Sequence, residues 1–213
     1  MIHCIGDSHS SVFSGREEIQ PEWPNRSDDI IPYFKTYRIG PATAYQLENK
    51  ITIIDQIVKD NVNINTDSIL FCFGEVDIRA HLIKQKNIST KNIDDLVSEC
   101  VERYLKVLMF YKNNKFDVMV WGVIASWGNL KIYTGPSFGT NIERNEVTKK
   151  FNSLLEKKCI ENDLKFISIF DKMLNTDLTT KIEYLDDWDG CHIHLNQKSM
   201  PLILESFREK KYI

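Results

Sequence analysis

Three short stretches carry side chains able to do chemistry. The first is GDSHSS, residues 6–11, which follows the apolar residues Ile2, Cys4 and Ile5 at the start of the chain. A serine at a strand exit is a weak nucleophile alone. It needs a base within hydrogen-bond reach, and that base needs an orienting group. The competing reading is a helix cap, because serine is a favoured residue at helix starts. The second stretch is LDDWDGCHIHLNQKS, residues 185–199. Asp189 and His192 lie three apart across Gly190, so in a turn the carboxylate can accept the imidazole Nδ1–H while Nε2 points outward. That is the orienter-and-base half of a serine triad, and a carboxylate there supports the imidazolium as it forms. Two other readings compete: polar turn residues with surface histidines, or a metal site from Asp187, Asp189, Cys191, His192 and His194. Zinc wants three or four ligands in a dedicated geometry, and there is no other clear ligand pair elsewhere in the chain, so no metal is expected. The third stretch is FCFGEVDIRAH, residues 71–81, where an apolar run ends at Gly74 and Glu75, Asp77, Arg79 and His81 follow. Its plain reading is a solvated strand exit with a local ion pair.

These stretches need elements to hold them. Apolar, β-rich runs occur at Ile2–Ile5, Ser68–Phe73, Asp117–Ile124 and Lys165–Phe170, with a shorter one at Tyr37–Ile39. Several are apolar at consecutive positions, the pattern of strands covered on both faces and hence of a parallel sheet. Helical spacing alternates with them: 42–61, Asp94–Tyr111, Asn145–Asn162 and Asn196–Lys210. Alternation of strand and helix predicts an α/β fold, a three-layer α/β/α sandwich with right-handed crossovers. With no linker, repeat or low-complexity tract, one domain over 1–213 is expected. Gly15–Pro32 and Trp127–Asn141 break the alternation with Pro and Gly and are expected as loops. In an open parallel sheet, ligands bind beyond the C-terminal strand ends, where Ser8 and the Glu75–His81 cluster fall.

The bulk numbers exclude several classes. The 213 residues carry a formal net charge of −3 and 42% hydrophobic residues, so neither nucleic acid nor an anionic membrane is an expected partner. No apolar stretch approaches the roughly 20 residues that span a bilayer, and Gly6–Asp7 interrupts the N-terminal apolar run, so no signal peptide is read. The five cysteines form no CxxC pair, which fits reduced thiols and a cytoplasmic location.

Taken in order, Gly6-Asp7-Ser8-His9, Gly40, Gly74-Glu75-Val76-Asp77 and Asp189-Gly190-Cys191-His192 resemble the blocks of the SGNH (GDSL-type) hydrolases. The resemblance spans nearly the whole chain, and its first and last blocks are the specific ones. It implies a flavodoxin-like fold with a central parallel sheet of about five strands. It further implies Ser8 as nucleophile, His192 as base and then acid, Asp189 as orienter, and the N–H groups of Ser8 and Gly40 in the oxyanion hole, with no cofactor. One block departs: where the family has an oxyanion-donating asparagine, this chain has Val76. Losing one such donor costs ~10²–10³ in rate. Arg79, just past the same strand end, is the candidate substitute, and His81 is a candidate substrate contact. His9 is expected to matter through its backbone and His3 through structure.

The function expected on this basis is hydrolysis of small acyl esters, for example O-acetyl groups on a carbohydrate. Trp23, Trp127, Tyr133, Phe138 and Trp188 are candidate sugar-stacking residues, with ordinary packing as the alternative for each. Acyl transfer to a sugar hydroxyl would use the same triad. A binding module that keeps the fold with weak catalysis is the reading from another class, and Val76 is its main support.

Overall fold

The structure, a computed structural model, describes residues 1–127, 135–186 and 192–213. Five strands form one sheet in the order β2-β1-β3-β4-β5. They are β1 (Ile2–Gly6), β2 (Phe34–Arg38), β3 (Ser68–Cys72), β4 (Asp117–Trp121) and β5 (Lys165–Ile167). Every pairing is parallel, with Gly6 opposite Arg38 on one side and Cys72 on the other. The helices are α1 (Ile51–Asn61), α2 (Ile83–Ile88), α3 (Ile93–Asn113), α4 (Asn141–Glu161) and α5 (Met200–Glu209).

Both faces of the sheet are covered, as consecutive apolar residues in its strands require. Ile5, Tyr37, Ile69 and Phe71 enter a core with α1, α3 and α4. Cys4, Leu70, Met119 and Trp121 enter a second core with Phe13 and with Ile203 and Phe207 of α5. This is the three-layer α/β arrangement expected. Cys4, Cys72, Cys100 and Cys159 are buried free thiols. Among the described residues, no helix is long and apolar enough to cross a membrane.

Element edges differ from expectation for local reasons. β2 begins at Phe34, not Tyr37, because exposed Lys35 between buried Phe34 and Thr36 is tolerated on an edge strand and hides the periodicity. β4 stops at Trp121, short of Ile124, since β5 offers only three residues to pair with. α4 begins at Asn141 because Thr140 and Glu143 form a reciprocal capping box. The last helix starts at Met200 after a 3₁₀ turn capped by Asn196. The charged stretch after β3 is not an open exit. Asp77–Leu82 forms a π-helical turn that continues into α2, with Asp77 and Arg79 buried. Such wide turns occur often at functional sites.

Candidate active site

β1 lies between β2 and β3, so Ser8 emerges at the C-terminal edge with a neighbouring strand end on each side. On one side, Ile39 N–H donates to the Gly6 carbonyl (2.9 Å), so the chain leading to Gly40 leaves β2 beside the end of β1. On the other, Gly74 has φ +120°, a left-handed conformation that turns the chain sharply into the Glu75–Leu82 cluster. Asp7 caps the 3₁₀ helix Ser8–Ser14 by accepting His9 N–H at 2.8 Å. The cap reading of Ser8 therefore falls to its neighbour, and the Ser8 hydroxyl is directed elsewhere.

Its partner is His194, whose Nε2 lies 2.9 Å from Ser8 Oγ. Asp186, 4% exposed, accepts the His194 backbone N–H on Oδ1 (3.0 Å), and its Oδ2 lies 3.3 Å from His194 Nδ1. The arrangement depends on a short antiparallel pairing: Leu185 bridges Leu195, and Asp186 N–H donates to the His194 carbonyl at 2.8 Å. Acid and imidazole thus sit opposite one another across two segments. His192, the imidazole expected here, instead has Nδ1 against the Asp186 carbonyl and lines a cleft with Asp186, Glu17, Asn196 and Lys198. The three-residue spacing misleads because the imidazole meets its acid across the pairing rather than along a turn. Asp189, with Asp187, Trp188 and Cys191, lies outside the described residues, as does Tyr133. Among the described residues, no three histidine, cysteine or acidic side chains converge in a metal-binding group.

A buried charge array lies beside this dyad. The Glu75 carboxylate takes Arg79 Nε at 2.6 Å, Arg79 Nη2 at 3.1 Å and His9 Nε2 at 3.0 Å. The His9 ring packs against His194, centroids 4.7 Å apart. Burial opposes charge on Glu75, but His9 and Arg79 outweigh it and hold its carboxyl well below the usual range. Burial likewise disfavours the His9 cation, yet Glu75, with Asp7 behind it, raises its pKa. Arg79 also donates Nη1 to the Pro136 carbonyl (2.9 Å). The expected oxyanion substitute is thus engaged in a buried i,i+4 ion pair. Glu75 and Arg79 form the local ion pair of the plain reading, but buried and not solvated, and the His9 side chain is the residue that sequence reasoning passed over. For the ion pair the available signal was three alternating charged positions after a buried strand.

Asp77 accepts the backbone N–H groups of Ala44 (2.7 Å) and Tyr45 (3.1 Å), tying the segment after Gly40 to the π-turn. Burial pushes its carboxyl up to about 7, against the pull of those two donors. His81 is exposed and lines a cavity with Tyr45 and Gln85. Of the candidate stacking residues, Trp23 packs edge-on against Tyr37, while Phe138 and Trp127 pack against the two cores, as the packing alternative has it.

No family model matches the sequence, and no curated protein matches it. Solved structures do match. A GDSL-like lipase from Bacteroides thetaiotaomicron superposes with a TM-score of 0.60 at 12% identity, over 100% of this chain and 88% of that one. An acetylxylan esterase from Geobacillus stearothermophilus, as a catalytic mutant, matches at 0.58 and 14% identity, over 98% and 92%. A carbohydrate acetylesterase from Sinorhizobium meliloti matches at 0.53 and 11% identity, over 99% and 97%. The chain shares the fold of these proteins.

Proposed function

We propose that this chain is a serine ester hydrolase in which Ser8 is the nucleophile, His194 the general base and then acid, and Asp186 the group that orients it. The observation that carries the reading is the 2.9 Å contact between Ser8 Oγ and His194 Nε2 with a buried carboxylate behind the imidazole. His194 takes the Ser8 proton as Oγ attacks the ester carbonyl. It then returns that proton to the leaving alcohol, forming the acyl-enzyme. Water, deprotonated by the same imidazole, attacks the acyl carbonyl, and Ser8 leaves with the proton. The Ser8 and Gly40 N–H groups are the oxyanion donors in this scheme. Val76 offers none, so turnover is slower than a three-donor site would give, by ~10²–10³.

The substrate class we favour is a small acyl ester, such as an O-acetyl group on a carbohydrate. Its support is the fold shared with two carbohydrate-directed acetylesterases. The purified protein is expected to hydrolyse p-nitrophenyl acetate and to be labelled by a fluorophosphonate, both lost in Ser8→Ala. Equal rates in the two proteins would end the proposal in favour of a non-catalytic module.

A further inference from the structure

A cavity of about 370 Å³ opens between the segment after Gly40, the π-turn with α2, and the start of α3. That volume lies within the roughly 300–1,000 Å³ of small-molecule sites. One wall comes from Thr43, Tyr45 and Gln46, a second from His81 and Gln85, and the third from Lys91 and Glu99. Leu82 and Leu96 add buried apolar surface.

The charged groups of this cavity are already paired. Lys91 Nζ meets Glu99 Oε2 at 2.6 Å, and Tyr45 OH donates to Glu99 Oε1 at 2.8 Å. The Arg103 guanidinium covers the Tyr45 ring at 4.2 Å and donates to the Tyr45 carbonyl at 2.9 Å, so this wall is braced. Asp77 accepts two backbone amides. Burial, Lys84 and Arg79 lower the His81 pKa, favouring its neutral form. Among the described residues lining the cavity, a phosphate would meet no lysine or arginine without a carboxylate partner, and an ammonium no carboxylate without a donor. The remaining groups are the amides of Gln46 and Gln85, the hydroxyls of Thr43 and Ser89 and the His81 imidazole; the amides and hydroxyls both donate and accept hydrogen bonds. Hydroxyl groups ask for that chemistry, and the leucines suit the C–H face of a ring.

We propose that this cavity is a subsite for a neutral sugar ring, flanking the Ser8 site and holding the carbohydrate to one side of the scissile ester. Thr43–Gln46 follow β2 and Asp77–Gln85 follow β3, the two strands that flank β1, so the cavity walls come from the same sheet edge from which Ser8 emerges. Its connection to turnover rests on the hydrolase reading; its capacity to bind does not.

Two measurements separate the claims. In the first, the Ser8→Ala protein is titrated with xylotriose, cellotriose and N,N′-diacetylchitobiose to about 10 mM while backbone amide NMR shifts are followed, a range that captures millimolar binding. At least one probe should give saturable shifts at 43–46, 81–85 and 89–99. Gln85→Ala and Gln46→Ala, both at exposed positions, should each weaken that binding about fivefold or more. Saturable shifts confined to other residues, no shifts with any probe, or binding unchanged by both variants overturns the subsite. In the second, kcat/KM is measured for an O-acetylated xylotriose and for p-nitrophenyl acetate. The ratio of the two should fall about fivefold or more in Gln85→Ala, through KM of the sugar substrate. An unchanged ratio overturns the subsite's role in turnover. A wild-type protein that hydrolyses neither ester sinks the hydrolase reading, while the titration still decides the subsite.

Discussion

Replacing Glu75 with glutamine keeps its size and removes the charge that Arg79 and His9 both contact. The wild-type carboxylate is 10% exposed and takes three hydrogen bonds of 2.6–3.1 Å, two from Arg79 and one from His9. In Glu75→Gln the Arg79 guanidinium, 8% exposed, is left with no carboxylate from Glu75. Breaking a buried ion pair by removing one partner costs about 3–5 kcal/mol. For a chain of this size each kcal/mol moves Tm by about 2–4 °C, so a fall of about 6–20 °C is expected. The loss depends on pH. Glu75 is held below its free value of 4.5, so its contribution is present above that pH and lost on acidification. His9 is raised above 6.5, so its contribution is present below that pH and lost as pH rises through the folded value. The gap between wild type and variant is therefore widest between about pH 4.5 and 6.5. Thermal unfolding by circular dichroism across pH 4–9 measures it. Glu75→Gln/Arg79→Met removes both charges of the pair and should be less destabilised than the two single variants summed. A gap below about 1 kcal/mol at every pH, or strict additivity, would refute the charge array as described.

Other expectations concern the dyad, one titration and one helix. Asp186→Asn should lower kcat on p-nitrophenyl acetate by about 10⁴, and His194→Ala should lower it comparably, whereas His192→Ala should change it by less than about threefold. The reverse order of the two histidine variants in steady-state rates would return the base to His192. The Asp77 carboxyl should titrate near 7 by carbon NMR, removing stability as pH rises from about 4 to about 7; a midpoint under about 5 would show that its two amide donors outweigh burial. Thr140→Ala opens the α4 capping box and should cost about 1 kcal/mol, read as a Tm fall of about 2–4 °C, with no loss if the cap contributes nothing.

The sheet was readable because burial on both faces leaves a local mark. "ILFCF" has no polar position, and only a covered parallel strand accepts that. The position of Ser8 followed from its place directly after the first strand and the rule for strand ends. The imidazole was not readable, because choosing His194 over His192 requires knowing that Leu185 faces Leu195. That pairing lies between two short segments with no periodicity of their own. The burial of Glu75 and Arg79 was hidden for a related reason. Charged residues after a strand look solvated unless a π-turn folds them back inward, and single-residue propensities carry no mark of such a turn. Val76 was visible at once as a missing donor, whereas the contact of Glu75 with His9 was not.

Every strand of the sheet lies between residues 2 and 167, whereas the imidazole that meets Ser8 is residue 194. The Ser8 Oγ–His194 Nε2 contact joins residues 186 positions apart, and it is held by the pairing of Leu185 with Leu195 and not by the sheet. Loosening that pairing separates the two groups while all five strands stay paired.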